Sequence, residues 1–253
     1  MIRLERIDDA IVLVTLDRPE ARNAISRKLA EALETIVEQV EADPTIRTAI
    51  ITGAGSAFCA GADLREVAQG KLAETFTAKG GFAGFVNADR RKIWIAAVNG
   101  MALAGGFEIV LACDLVVAAR SAAFGLPEVR RGLIASAGGL YRLPRALPKA
   151  IALELILSGN PMPAERAFDF GLVNRLANDD VVVEATELAM SISRNAPLAL
   201  AASIAIAREA AGFDDLRLRQ AGDDAQETLS RTADYEEGAR AFLEKRAPRW
   251  KGA

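Results

Sequence analysis

The hydrophobic pattern of this chain predicts strands and helices that alternate along most of its length. Uncharged apolar runs, typical of strands buried on both faces of a sheet, lie at 11–16, 48–52, 93–98 and 115–119. After the first run, Ser26 is predicted as an N-cap. Apolar residues then recur at helical spacing until Asp43 and Pro44 end the helix. This alternation favours an α/β fold.

Glycine-rich loops follow two of the predicted strands, and each loop leads into a predicted helix. Residues 53–62 form the first loop, and Asp63 with Glu66 forms a capping-box variant that predicts a helix from Leu64. Residues 99–106 form the second loop, before an apolar helical segment at 107–113. Because the first N–H groups of a helix lack partners within it, such junctions can bind a developing oxyanion. Alternatively, the glycines only make tight turns.

The stretch 69–91 has no regular period and places Gly80, Gly81 and Gly84 beside three phenylalanines, Phe76, Phe82 and Phe85. It is either a mobile cover over a pocket or an ordinary surface loop.

Beyond Gly171 the pattern becomes mainly helical. Helices are predicted near 181–194, 198–211, 215–230 and 235–245. We place a boundary at Asn195-Ala196-Pro197, which predicts a core at 1–195 and a helical region at 196–253.

Composition excludes several classes of chemistry. The chain has 253 residues, of which 51% are hydrophobic and 26% charged, and it has no histidine. Ser-His-Asp and Cys-His catalysis and histidine-based zinc sites are therefore excluded. Proton transfer must use carboxylates, Lys, Tyr, Cys or water.

Net charge and cysteine content limit the binding partners and the cellular compartment that we expect for this protein. A net charge of −3 argues against a nucleic-acid binder. Cys59 and Cys113 form no C-x-x-C pair and are expected to be small core residues, without disulfide or metal roles. The uncharged runs are too short to cross a bilayer, and the first residues, charged from Arg3 onward, do not form a signal peptide. We expect a cytoplasmic protein with no membrane association.

Two glutamates are candidate functional carboxylates. Glu108 lies among apolar residues at the start of the second predicted helix, and Glu128 follows a Gly-Leu-Pro turn that can aim its side chain. Taken singly, either residue could instead be a solvated or capping side chain.

Three motifs, in this order, resemble the crotonase, or enoyl-CoA hydratase, superfamily: FCAGADL at 58–64, VNG at 98–100 with GGFE at 105–108, and FGLPE at 124–128. The resemblance extends over nearly the whole chain. It implies an α/β fold with a spiral core of repeated ββα units and C-terminal helices that assemble homotrimers or dimers of trimers.

The resemblance also assigns roles by position. It implies that the backbone N–H groups of Ala62 and Gly105 form an oxyanion hole for a thioester oxygen. Glu108 and Glu128 match the two acid/base glutamates of hydratases, with Glu108 activating water and Glu128 delivering the α-proton. This chemistry uses no metal and no redox cofactor, and coenzyme A enters only as part of the acyl-CoA thioester substrate.

The same resemblance implies a set of residues that bind coenzyme A. They are Arg22, Ala24, Ala60, Asp63, Leu64, Arg65, Phe242 and Lys245. For the long cations among them, a solvated surface charge is the competing interpretation.

Departures from the commonest hydratase pattern leave the acyl group open. Ala104 replaces a frequent glycine, Ala135 a frequent proline, and Leu140-Tyr141 a frequent Thr-Gln. Residues 138–144 are closer to carnitinyl-CoA dehydratase-like relatives, which favours a bulky or branched acyl group. The alternatives to an enoyl-CoA hydratase are an enoyl-CoA isomerase, a carnitinyl-CoA dehydratase-like enzyme of the same fold and a non-catalytic acyl-CoA-binding scaffold.

Overall fold

The structure, a computed structural model, describes residues 1–210 and 212–253. Its strands are β1 Ile2–Asp8, β2 Ile11–Leu16, β3 Thr48–Gly53, β4 Ala57–Cys59, β5 Phe76–Thr77, β6 Gly81–Phe82, β7 Ile93–Val98, β8 Met101–Leu103, β9 Leu115–Ala119, β10 Ala123–Gly125, β11 Met162–Pro163 and β12 Arg175–Ala177. Its helices are α1 Arg27–Ala42, α2 Leu64–Ala68, α3 Gly105–Ala112, α4 Gly139–Ala146, α5 Lys149–Ser158, α6 Ala164–Asp169, α7 Val181–Ser193, α8 Pro197–Glu209, α9 Asp215–Leu229 and α10 Ala233–Leu243.

The predicted strands form the centre of a larger sheet of order β1-β2-β3-β7-β9-β12. Neighbours from β2 to β12 pair in parallel, and β1 pairs antiparallel with β2. Every residue of β3 and β7 is buried. A parallel strand covered on both faces has no solvent side, so its sequence is uniformly apolar or uncharged, and this is why the four runs predicted these strands.

A smaller sheet of order β11-β10-β8-β4 completes the spiral. Each turn passes from the larger sheet to the smaller one and then into a helix, first as β3-β4-α2 and next as β7-β8-α3. The predicted spiral of ββα units is confirmed. Its turns place the N-termini of α2 and α3 directly after the two glycine-rich loops.

The helix caps bear out one prediction and correct another. The Ser26 hydroxyl accepts from the Leu29 N–H at 3.3 Å, as expected of an N-cap for α1. Asp63 caps α2 by accepting from the Arg65 N–H at 3.1 Å. Glu66 does not complete a capping box, because its carboxylate accepts from the Arg27 N–H at 3.0 Å, at the start of α1. The local pattern was right about the helix start and wrong about the partner of Glu66.

Several elements differ from the sequence pattern. The two predicted loops each contain a short strand, β4 and β8, and the charged strand β1 at the sheet edge was not predicted. Helices α4 to α6 were also not predicted. The last residue of the helix predicted at 198–211, Ala211, lies outside the described residues.

Backbone contacts divide the chain into a unit at Met1–Ala189 and a unit at Met190–Ala253. In the second unit the Asp234 carboxylate accepts from the Lys251 and Gly252 N–H groups at 2.6 and 2.9 Å and so anchors the C-terminal segment. The predicted boundary at residue 195 stays a prediction. Of the helices in the described part of the chain, none is long and apolar enough by itself to cross a bilayer, and the bent pair α7 and α8 meets that test by length and composition alone.

Candidate active site

A cavity of about 350 Å³ in the first unit gathers most of the predicted site residues. It is lined by Arg22, Ala60, Ala62, Leu64, Gly105, Glu108 and Glu128. Its wall is otherwise mainly apolar, with Leu72, Phe76, Phe82, Leu133 and Ile134 among the contributing side chains. Such a site, apolar with a few convergent polar groups, is the usual setting for a small-molecule reaction.

The backbone at Ala62 is held so that its N–H remains available. Ile25 and Ala62 form a parallel bridge in which the Ile25 N–H donates to the Gly61 carbonyl at 2.8 Å and the Asp63 N–H donates to the Ile25 carbonyl at 2.9 Å. The bridge uses groups of the residues beside Ala62, so the N–H of Ala62 itself points away from Ile25. Among the residues that the structure describes, none accepts a hydrogen bond from it.

Gly105 supplies the second free N–H at the first position of α3. Within the described chain this N–H also has no acceptor, whereas the N–H groups of Phe107 and Glu108 already donate to the Ala104 carbonyl. The two loops touch here, since a Cβ built on Gly61, whose φ is +90°, would lie 3.2 Å from the Gly105 nitrogen. Two unpaired N–H groups at one wall are the arrangement that stabilises a thioester oxyanion.

Glu108 is almost fully buried, at 3% exposure. Its Oε1 accepts from the Gly139 N–H at 2.9 Å, at the N-terminus of α4. Burial raises the pKa of Glu108 to about 7, and the nearby charge of Glu128 acts in the same direction. A carboxyl group with that pKa can hold or release a proton near neutral pH.

Glu128 lies in the first turn of a 3₁₀ helix at Pro127–Arg131. Its side chain is 9% exposed, and its buried Oε2 accepts no hydrogen bond from any described residue. Burial raises the pKa of Glu128, while the Arg131 charge lowers it. A buried carboxyl oxygen without a partner at a cavity wall is available to a ligand.

Comparisons with known proteins identify the family. A sequence model of the enoyl-CoA hydratase/isomerase family matches residues 6–253. The chain belongs to this family. The resemblance to the crotonase superfamily is thereby confirmed.

Relatives of similar identity within the family carry different activities in their names. A carnitinyl-CoA dehydratase of Salmonella typhi is 42% identical over 249 residues, covering 96% of this chain and 95% of that protein. A mevalonyl-coenzyme A hydratase of Aspergillus fumigatus is also 42% identical, over 95% of this chain and 91% of its own length. The crystal structure of an enoyl-CoA hydratase from Mycobacterium tuberculosis superposes with a TM-score of 0.94 at 42% identity, covering 100% of this chain and 99% of that one.

The coenzyme A-binding residues implied by the family do not all line the cavity. Ala24 is buried outside it. The Asp63 carboxylate is engaged by Arg18 at 3.1 Å and caps α2. Arg65 is exposed and does not line the cavity. Phe242, at 83% exposure, and Lys245 belong to the second unit. Their coenzyme A-binding roles stay predictions.

Some residues of the site were missed by the sequence analysis. Gly139, the donor to Glu108, gives no local signal beyond a Gly-Gly pair. Phe76 and Phe82 were not missed, because a cover over a pocket is one of the two predicted alternatives for the stretch 69–91 that carries them; both line the cavity from a small hairpin, with ring centroids 5.4 Å apart. Arg131 also lines the cavity. The glycine-rich composition around the two phenylalanines was the available hint.

Both cysteines lie where the sequence analysis expected small core residues. Cys59 is buried and Cys113 half-buried, and both are free thiols. Burial raises the pKa of each thiol to about 12. Neither is a thiolate nucleophile at neutral pH.

Proposed function

We propose that this protein is an enoyl-CoA hydratase, which adds water reversibly across the 2,3 double bond of a 2-enoyl-CoA to give a 3-hydroxyacyl-CoA. The observation that carries this proposal is the meeting of two buried glutamates and two unpaired backbone N–H groups at one cavity. Hydration requires removal of a proton from water, delivery of a proton to the α-carbon and stabilisation of an enolate oxygen. Those groups suffice for the three tasks.

In this mechanism the thioester oxygen accepts from the N–H groups of Ala62 and Gly105. Glu108 takes a proton from water while the water oxygen bonds to the β-carbon, and the electron pair of the double bond moves toward the thioester oxygen. Glu128 then delivers its proton to the α-carbon, and the thioester carbonyl is restored. One glutamate must start protonated and the other ionised.

The environment of the two carboxyl groups supports the sharing of one proton between them. Burial raises both pKa values, to about 7 for Glu108. Because the charge of each disfavours ionisation of the other, a pair in this setting shares one proton over a range of pH. We assign the acid and base roles as the family resemblance implies them, to Glu128 and Glu108 respectively.

A panel of 2-enoyl-CoA thioesters that differ in acyl length and branching tests this function. We expect hydration by the purified protein without added metal or nucleotide, followed by loss of the enoyl absorbance and detection of the 3-hydroxyacyl product. Glu108→Gln and Glu128→Gln should each reduce turnover by about 10²–10⁴ while acyl-CoA binding persists. Glu187→Gln, at an exposed position on α7, is the matched control.

Product analysis separates this proposal from its alternatives. An isomerase would return an enoyl-CoA with a shifted double bond and no added hydroxyl group. A non-catalytic scaffold would bind the thioesters and leave them unchanged. Near-wild-type hydration by both Gln variants would reject the assigned roles.

The acyl group is proposed from the wall of the cavity. The side chains of Leu72, Phe76, Phe82, Leu133 and Ile134 offer apolar contact area to a neutral, bulky or branched group. A carnitinyl-CoA dehydratase-like activity is a second candidate, because a relative 42% identical carries that name and aromatic faces can attract a quaternary ammonium. A 2-enoyl-CoA with a trimethylammonium group on its acyl chain therefore belongs in the panel.

We further propose a cytoplasmic homotrimer or dimer of trimers whose partner is the acyl-CoA thioester, with no nucleic acid or membrane involved. The exposed apolar side chains Leu216 and Leu243 of the second unit, at 71% and 79% exposure, support assembly. The family resemblance supports the trimer.

A further inference from the structure

The guanidinium of Arg142, on α4, connects the cavity wall at Ala137 to the segment that follows the hairpin β5-β6. Its Nη1 donates to the Ala137 carbonyl at 3.0 Å and its Nη2 donates to the Val86 carbonyl at 2.6 Å. A planar guanidinium can hold two carbonyls in a fixed relation, which a flexible ammonium cannot. One side chain therefore ties the loop before α4 to the segment after the hairpin β5-β6.

The Ala137 end of this bridge lies beside the hydrogen bonds that Glu108 receives. The backbone N–H groups of Ala137 and Gly139 both interact with the Glu108 carboxylate, the latter at 2.9 Å. The Ala137 carbonyl belongs to the peptide between these two donors. Holding that carbonyl therefore fixes the orientation of the backbone that faces Glu108.

The Val86 end of the bridge reaches the aromatic wall. The Val86 N–H donates to the Phe82 carbonyl at 3.3 Å, so the segment held by Arg142 is the one that carries Phe82. The ring of Phe82 packs against Gly105, since a Cβ built on Gly105 would lie 2.3 Å from it. Arg142 thus holds backbone on both sides of the site: the loop that donates to Glu108, and the segment that packs Phe82 against Gly105.

Gly138 leaves the space that this guanidinium occupies. A Cβ at Gly138 would lie 2.0 Å from Nη1 of Arg142, and the Gly138 φ of +121° is one that L residues rarely adopt. The two glycines therefore have separate roles. Gly138 leaves room for the guanidinium, and Gly139 donates to Glu108.

The charge of Arg142 is directed at the site. Within the described part of the chain, no carboxylate lies within ion-pair distance of its guanidinium. Glu128 raises the pKa of Glu108 and Arg142 lowers it. The other titratable side chains on elements packed against α3 are Cys59 on β4 and Tyr141 and Arg145 on α4.

We propose that Arg142 is a positioning residue for the reaction, which holds the loop 137–139 so that Gly139 donates to Glu108. This inference rests on the proposed function, because it concerns the reactive geometry of a catalytic carboxylate. Arg142 does not touch the reacting atoms and acts through the backbone of the loop.

The test compares Arg142→Met and Arg142→Lys with Arg145→Met. Arg145 lies on the same helix, is exposed, and approaches the same Tyr141 ring, at 5.7 Å against 5.1 Å for Arg142, so its variant is a matched control. Arg142→Met should lower kcat by about 10²-fold, since a small displacement of a catalytic group has that effect. The acid limb of its pH–rate profile should move to higher pH, because the cation that lowers the pKa of Glu108 is gone.

Arg142→Lys separates geometry from charge. It keeps the positive charge and loses the two-carbonyl bridge, so kcat should fall while the acid limb moves less than in Arg142→Met. If Arg142→Met does not fold, this variant carries the test. Wild-type turnover in Arg142→Lys, with an unchanged exchange rate of the Gly139 amide proton, would overturn the proposal.

A second measurement does not depend on turnover. Carboxyl ¹³C NMR titration of the ligand-free protein, with Glu108→Gln used for assignment, reports the pKa of Glu108 directly. We expect an upward shift in Arg142→Met and none in Arg145→Met. If the wild-type protein hydrates no enoyl-CoA, the proposed function fails while this titration still decides the role of Arg142. Equal titrations and equal Gly139 exchange in the two Met variants would reject it.

Discussion

At the scale of single residues, burial controls the protonation chemistry of Glu108 and Glu128. Neither carboxyl group forms an ion pair with a described residue, and each is removed from water by the spiral around it. Desolvation disfavours the charged form, so the proton is retained at a higher pH than in water. The same effect has a measurable influence on stability.

Glu108 makes stability depend on pH in a direction opposite to that of a salt-bridged carboxylate. Its pKa rises from 4.5 to about 7 on folding, so between these values the folded protein holds more protons than the unfolded chain. Its contribution to the free energy of unfolding therefore falls as pH rises through this window. Relative to wild type, Glu108→Gln should gain up to about 3 kcal/mol between about pH 4 and about pH 8. Urea unfolding of both proteins at the two pH values measures the gain, and a pH-independent difference would contradict it.

Ala104 occupies a backbone conformation that favours glycine. Its φ is +52° with ψ −129°, at the N-cap of α3, where the sequence analysis noted the departure from a frequent glycine. Such strain costs on the order of 1–3 kcal/mol, and a glycine costs less than about 1 kcal/mol through the entropy of the unfolded chain. Ala104→Gly should thus raise the free energy of unfolding by about 1 kcal/mol. In denaturant titrations the control Ala102→Gly, at the buried position of strand β8, should lower the free energy of unfolding instead.

At the scale of elements, the N-terminus of α3 packs directly against the hairpin β5-β6, with no space between them for a further side chain. A Cβ at Gly105 would lie 2.3 Å from the Phe82 ring, and a Cβ at Gly106 would lie 2.1 Å from the Cys59 carbonyl. Both glycines are required by close packing with neighbouring elements. The first two positions of α3 therefore leave no room for a side chain.

Gly105→Ala tests this packing through catalysis. The added methyl group must displace Phe82 or the helix terminus, and displacement of the N–H should reduce turnover by about 10²–10³, the usual effect of losing one oxyanion donor. Phe82→Ala in the same chain makes room, so the double variant should recover part of the loss. Steady-state kinetics of the two single variants and the double variant give the coupling free energy between positions 82 and 105. Full activity in Gly105→Ala would contradict the expected displacement of this N–H.

At the scale of the whole molecule, the second unit presents apolar side chains to solvent. Leu216, Phe242 and Leu243 are exposed at 71%, 83% and 79%. Single exposed apolar residues are common on monomers, but three large and nearly free side chains on the α9 and α10 helices favour an interface.

We expect a trimer or a dimer of trimers in solution. Light scattering coupled to size exclusion at micromolar concentration measures the mass directly, and the expected value is three or six times that of the chain. A stable and active monomer would contradict the prediction.

Local patterns predicted the elements that are stabilised by their own neighbours in sequence. Ser26 caps α1, Asp63 caps α2, and the run at 48–52 forms most of β3. The elements that local patterns did not predict are stabilised by residues distant in the chain. The strand β4 pairs with β8, about forty residues further along, and three residues are too few to show a period of two. The partner of Glu66 was mispredicted for the same reason. The capping-box pattern is local, and it does not reveal that the distant Arg27 N–H donates to the Glu66 carboxylate.

The candidate site shows the same division between local and distant causes. The sequence by itself determined the classes of chemistry open to the chain, because the absence of histidine and the presence of Glu108 and Glu128 are properties of composition and motif. The tertiary structure alone decided that these glutamates share a cavity with Ala62 and Gly105, that Gly139 donates to Glu108, and that burial raises both pKa values. Motifs depend on residues adjacent in the chain, whereas desolvation and hydrogen bonding depend on whatever the fold brings near.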